Sequence, residues 1–244
     1  MTPIEQMLRH ASVREFDSSP LPDEHIREAV RAGQQASTSS HVQAYALLQI
    51  EDSTERKQLR ELCGNQAQVS EAGAFFIVCA DTRRHRLLAE RAGMDHAANL
   101  ETFLVATIDA SLFAQNLCLA FESQGYGLCY IGGLRNRLPE VDALLAIPEG
   151  VFPLYGLCVG VPRKGVAPTV RPRLQPEAVW SKGRYPQDAD VLANAEAHDA
   201  VMAEEYEARG LNGRTWSGGV VRKFRQPTRE HLAAYYASKG ARLS

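Results

Sequence analysis

Between Ala97 and Gln124 the chain carries only Glu101, Asp109 and Glu122 as charges, and Gly125 ends the run. No clean polar stripe interrupts it. A helix that is apolar nearly all round belongs in the centre of a protein or in a subunit interface. Its most apolar window, Phe103–Phe121, still holds Thr107, Asp109, Ser111, Gln115 and Asn116. Those groups make it a poor membrane span and a good core helix.

The other segments must pack around this helix. Pro3–His10 reads as a short first helix. Leu21-Pro22-Asp23-Glu24 opens a second, with Pro at the first turn and acids at the positive end of the dipole. Ile26, Ala29, Val30 and Gly33 then fall on one face. Ser37–Gln43 is a hydroxyl-rich loop, and Ala46–Ile50 is a short buried strand. Asp52-x-x-Glu55 resembles a capping box for a helix closing at Gly64. Ala74–Cys79, Leu128–Ile131 and Leu154–Val161 supply three more apolar strands, with a helix over Asn136–Ala146. Strands and helices alternate, and the strands are apolar throughout. The expectation is an α+β or α/β layered fold, with helices on a central mixed sheet.

After Pro162 the texture changes. Gly165–Arg173 is rich in Pro and Arg and reads as extended. Asp188–Arg209 reads as a charged helix, Gly210–Gly219 as a Gly-rich break, and Thr228–Lys239 as a last helix. Residues 1–162 are expected to form the core. Residues 163–244 are expected to be a C-terminal excursion of the same domain, wrapping a partner or covering a site.

The 244 residues carry 27 basic and 29 acidic side chains, so a net charge of −2 gives no global footprint for nucleic acid. The N-terminus has no basic stretch followed by an apolar one, and a secretory signal is not expected. Cys63, Cys79, Cys118, Cys129 and Cys158 are odd in number, widely spaced and without a C-x-x-C. They read as small core residues in a reducing cytoplasm.

Familiar catalytic signatures are missing from the sequence. No G-x-G-x-x-G follows a strand, and there is no P-loop, H-E-x-x-H, G-x-S-x-G or zinc spacing. What stands out is a set of junction elements. His10-Ala11-Ser12-Val13-Arg14 offers a guanidinium fork and a hydroxyl to one phosphate. Arg171-Pro172-Arg173 presents two arginines from one stiffened segment. Tyr130-Ile131-Gly132-Gly133-Leu134 lets a flat ligand approach the backbone. Gln43 and Gln66 can read a ring edge that carries donors and acceptors. Taken singly, each has a plain alternative: a surface arginine, a simple turn, a solvated basic stretch, a capping histidine.

The order of these elements resembles a known family. H-x-S-x-R near the N-terminus, S-x-x-Q after the second helix, Y-I-G-G-L-R-N after the third strand and a late R-P-R-L are similar to the oxygen-insensitive NADPH nitroreductases of the major enterobacterial type and their NADPH–flavin oxidoreductase relatives. Ala114–Asn116, Pro153–Cys158 and Arg209-Gly210-x-Asn212-x-Arg214-Thr215-Trp216-Ser217 match in order as well. The resemblance covers nearly the whole chain.

It implies a nitroreductase-like fold, an interlocked homodimer, and one non-covalent FMN at each dimer interface. His10, Ala11, Ser12 and Arg14 would hold the phosphate and ribityl end, with Arg173 on the phosphate side. Arg171 stands where lysine is common, near the pyrimidine edge. Tyr130, Ile131, Gly132, Gly133 and Leu134 would line the ring. Ser39, Ser40, Gln43 and Gln66 would close the site from the other subunit, with His41 in place of a usually apolar neighbour. Arg209 and Arg214 match arginines that grip the NADPH 2′-phosphate. The implied activity is two-electron, ping-pong hydride transfer from NADPH to small oxidants, nitroaromatics and quinones among them, with no dedicated protein nucleophile or base. Two alternatives remain at this point: a reductase that delivers free reduced flavin, and a flavin-binding protein without turnover.

Overall fold

The computed structural model describes residues 1–166 and 168–242. The chain divides into two compact units, one taking in Met1–Pro168 and the chain from Arg229 on, the other Thr169–Thr228.

The first unit is built on a four-stranded sheet of β1 (Tyr45–Gln49), β2 (Ala74–Asp81), β3 (Gly127–Ile131) and β4 (Val151–Gly160), in the order β1-β2-β4-β3. Every pairing is antiparallel. This corrects the expected mixed sheet. A strand buried on both faces is apolar throughout whichever way it runs, and β2 is buried along its whole length. An intervening helix does not fix direction either. β1 and β2 are joined through α3 (Ser53–Leu62) and α4 (Gln68–Glu71) yet run antiparallel.

The long helix α6 (Leu100–Ser123) starts at a capping box in which Asn99 and Thr102 exchange hydrogen bonds. Ala106, Asp109, Ala110, Phe113, Ala114, Leu117, Cys118 and Phe121 form its buried face, which packs on the sheet and on α2 (Asp23–Gly33). Ile26, Ala29 and Gly33 are the buried side of α2, as their spacing predicts. By length and composition α6 alone among the described helices could cross a membrane, but that buried face is part of the sheet's packing. Leu100, Leu104, Ile108 and Leu112 are exposed on it.

Asp52 caps α3 by accepting from the amides of Thr54 and Glu55, at 2.8 Å each. Only that half of the expected capping box forms. α3 packs on α4, on α7 (Leu138–Leu145) and on the tight turn Gly132–Asn136. A short α1 (Pro3–Leu8) precedes α2, and α5 (Arg83–Arg91) follows β2. All five cysteines are buried free thiols.

β4 begins earlier than its sequence predicts, because Pro153 lies inside it. Proline is tolerated there for a local reason. β3 pairs only from Gly156 onward, and the β2 register shifts at Val78/Cys79, opposite Pro153. The Pro153 carbonyl accepts from the Tyr236 hydroxyl at 2.8 Å, and that of Leu154 from Arg135 at 2.5 Å. Tyr236 belongs to the last helix, here numbered after the second unit.

The second unit carries α8 (Pro176–Val179), α9 (Asp188–Ala208) and α10 (Trp216–Phe224); the chain then returns to the first unit as α11 (Leu232–Ser238). α10 starts inside the segment read as a break. Thr215 caps it by accepting from the Gly218 amide, and Asp199 accepts from the Ser217 amide at 2.8 Å. His198 is buried, edge-on to Trp216.

Candidate functional site

The phosphate-reading candidates lie on an extended strap. The Val13 amide donates to the Leu128 carbonyl at 2.9 Å, and Phe16 bridges to Pro162. Val13 and Phe16 are buried, which turns Ser12 and Arg14 outward, and both are exposed. Among the described residues neither of these two side chains has a hydrogen-bonding or ionic partner. The strap lies so close to β3 that a Cβ on Gly127 would sit 2.4 Å from Val13 Cγ2. Burial raises the Cys129 thiol, and the Arg14 charge partly offsets this.

His10 is differently placed. Its Nδ1 lies 2.6 Å from Glu122 Oε1, at the last turn of α6. His10 and Ala11 line an open cleft with Arg9, Glu122, Tyr126 and Pro162.

The ring-lining candidates follow β3. Ile131 and Leu134 are fully buried, backbone included, and pack behind the residues that a ligand could reach. The Tyr130 ring is edge-on to Tyr155, and its hydroxyl accepts from Cys118 Sγ at 3.1 Å. Burial pushes the Tyr130 hydroxyl's titration far up, with Cys118 adding to it, which keeps the phenol protonated. Gly132 and Gly133 are half-buried and behave oppositely. A Cβ on Gly132 would meet only Arg135 Nη2, at 3.5 Å. One on Gly133 would sit 2.3 Å from the Cys63 carbonyl oxygen and 2.4 Å from Gln66 Nε2. Gln66 thus goes with Gly133 of its own chain, whereas the resemblance assigns it to the partner. Its amide is also partly committed: Nε2 donates to the Cys63 carbonyl at 2.9 Å and Oε1 accepts from Gln68 at 3.1 Å.

Ser39, Ser40 and Gln43 form a third group. Ser40, His41 and Gln43 all have positive φ, at 46°, 58° and 52°. Gln43 Nε2 lies 3.4 Å from His41 Nε2. Asp109, buried on α6, accepts from the Ser39 amide at 3.0 Å and the Ala44 amide at 3.1 Å. From α5, Arg84 Nη1 donates to the Gln43 carbonyl at 3.2 Å and His85 Nε2 to that of Val42 at 2.8 Å. Among the described residues no hydrogen bond joins this loop to residues 10–14, to Gln66 or to residues 130–134.

Sequence reasoning missed Asp109, Arg84, His85 and Glu122. A signal existed for the first: a carboxyl group in the middle of an apolar helix needs partners for both oxygens.

The remaining candidates belong to the second unit and are described within it. Arg171 and Arg173 are exposed, and Arg173 Nη1 donates to the Arg171 carbonyl at 2.8 Å. Arg209 ends α9 and pairs with Glu205 at 3.2 Å. Arg214 is exposed beyond a turn whose Gly210 and Gly213 have positive φ. Among the described residues no cluster of three His, Cys, Asp or Glu is placed to hold a metal.

Two sequence families match the chain, and the second takes in both the second unit and the segment that returns to the first. Residues 7–161 match the nitroreductase family and residues 171–244 the nitroreductase family C-terminal domain. The FMN reductase (NADPH) of Bacillus subtilis (strain 168) is 39% identical over 244 residues, 97% of each chain being covered. The NADPH-flavin oxidoreductase of Vibrio harveyi is 37% identical over 239 residues, again with 97% of each covered. The solved structure of B. megaterium NfrA1 superimposes with a TM-score of 0.93 at 38% identity, covering 98% of both chains. With one family model spanning most of the chain and the relatives aligned end to end, this protein belongs to the nitroreductase family.

Proposed function

We propose that the protein is an FMN-dependent oxidoreductase that draws on NADPH and reduces small oxidants, nitroaromatics and quinones among them, as a homodimer. The observation that carries this is the pair Ser12 and Arg14: exposed, without partners among the described residues, on a strap pinned to β3. The residues fit a flat ligand with an anionic tail. Gly132 leaves its backbone open, and Arg14 has its fork free for a phosphate. FMN, when bound, supplies a centre that accepts a hydride and gives it up, so the protein needs no nucleophile of its own.

The chain's own residues bind and orient. Ser12 and Arg14 hold the phosphate, with His10 and Ala11 at the ribityl end. Tyr130, the backbone of Gly132 and Gly133 and the Gln66 amide bound the ring on one side, with Ile131 and Leu134 packed behind them. Ser39, Ser40 and Gln43 bound it from the partner subunit. Arg171 and Arg173 are assigned to the cofactor, and Arg209 and Arg214 to the nucleotide phosphate, by the family pattern.

Two observations support the dimer. Leu100, Leu104, Ile108 and Leu112 repeat every fourth residue along α6 and are all exposed, an apolar stripe suited to a second copy. Among the described residues the 39–43 loop also has no hydrogen bond to the other cofactor residues of its own chain. One relative is named an FMN reductase and another an NADPH-flavin oxidoreductase, which favours a second reading: release of reduced flavin to another acceptor.

Anaerobic addition of NADPH to the purified yellow protein tests both. Bleaching of the flavin bands, then recovery with a nitrofuran or quinone, is expected. Faster recovery with free FMN selects the second reading. A colourless protein that takes up no FMN overturns the proposal.

A further inference from the structure

We infer that Asp109 is a positioning residue for the ligand-reading loop, fixing Ser39, Ser40 and Gln43 through its carboxyl oxygens. This rests on the assignment of that loop to the flavin. Asp109 is 1% exposed and lies between Ala106 and Ala110 on the buried face of α6. Among the described residues it makes no ion pair with lysine or arginine. A buried carboxyl group is tolerated only when its oxygens are hydrogen-bonded, and an apolar side chain would suit this helix face better. What Asp109 does instead is hold both ends of one loop. Oδ1 accepts from the Ser39 amide at 3.0 Å and Oδ2 from the Ala44 amide at 3.1 Å.

Between those two points Ser40, His41 and Gln43 occupy the left-handed region. Conformations of this kind persist only where the surroundings over-determine them, and they gather at ligand sites. Here the over-determination is visible. Asp109 takes the amides at the two ends, and Arg84 and His85 take the carbonyls of Gln43 and Val42. With the backbone fixed from two sides, the hydroxyls of Ser39 and Ser40 and the amide of Gln43 are the groups the loop has to offer a ligand.

Asp109→Asn tests this. The side-chain shape is kept, but one acceptor becomes an N–H that faces a backbone N–H. Amide hydrogen exchange across 39–44 in the apoprotein is expected to quicken by at least about tenfold, with β2 and the rest of α6 unchanged. FMN affinity, read by quenching of flavin fluorescence, is expected to fall about tenfold to hundredfold, the range for losing a hydrogen bond to a charged group. Should that variant fail to fold, Arg84→Ala opens the loop from its exposed side and is expected to move both readouts the same way. Unchanged exchange in the loop overturns the clamp. Faster exchange with unchanged FMN affinity overturns the positioning role while leaving FMN binding itself intact. A wild-type apoprotein that binds no FMN instead overturns the functional reading on which the inference stands.

Discussion

At the scale of single residues, the two adjacent glycines after β3 have separate tasks. Gly133 is there because Cys63 and Gln66 press against it, and Gly132 because the backbone beside it is left open. Gly133→Ala must push a carbonyl oxygen or the Gln66 amide aside, an overpacking cost of about 1–3 kcal/mol. A lower thermal midpoint and weaker FMN retention are expected. Gly132→Ala is expected to leave the midpoint unchanged, and equal midpoints for the two variants would remove the distinction. The glycine pair was legible in the sequence as a place of close approach. Which glycine is approached, and by what, was not, since the contact comes from α3 and the turn after it, distant along the chain. Asp109 shows the same limit. It stands out in the sequence only as a polar residue in an apolar helix, and its meaning lies in a loop that the helix reaches by folding.

At the scale of elements, periodicity found what it could see. α2 has a buried face with regular spacing and was readable by it, whereas α6 was readable from its nearly unbroken apolar run. α5 has no buried residue, so no core contact marks it, and nothing in its sequence points to its first turn bracing the 39–43 loop. The start of β4 was hidden by Pro153, whose neighbours become known only with the register. The α9–α10 connection separates two arginines with unlike prospects. Arg209 already pairs with Glu205, while Arg214 is exposed and has no ionic partner among the described residues. Arg214→Ala is therefore expected to raise the KM for NADPH more than Arg209→Ala does, with the KM for NADH nearly unmoved by either. Steady-state kinetics with both nucleotides decide it, and equal effects on NADH would sink the 2′-phosphate assignment.

At the scale of the whole molecule, two properties follow from what is buried and what is not. Burial pushes Cys63 and Cys118 up to about 12 from 9.0, and raises Cys79, Cys129 and Cys158 as well. In the unfolded chain these thiols ionise near their ordinary value, so the unfolded state loses protons first as pH rises. Stability is then fully present below pH 9.0 and falls progressively above it. Thermal midpoints measured from neutral to alkaline pH should show that decline, and native thiols should resist alkylation until the protein unfolds. The exposed face of α6 gives the second property. Ile108→Asp puts a charge in the middle of the apolar stripe and is expected to yield a monomer by sedimentation that loses FMN on dilution. A dimeric variant would place the interface elsewhere.

That no hydrogen bond joins the 39–43 loop to the strap at 10–14 among the described residues has a genetic consequence. If each pocket draws its loop from one chain and its strap from the other, damage to either can be complemented in trans. Co-expression of an Arg14→Ala chain with a Gln43→Ala chain, each inactive alone, would then produce heterodimers in which one pocket collects both lesions and the other collects neither. Activity would return in the mixture without any single polypeptide being whole.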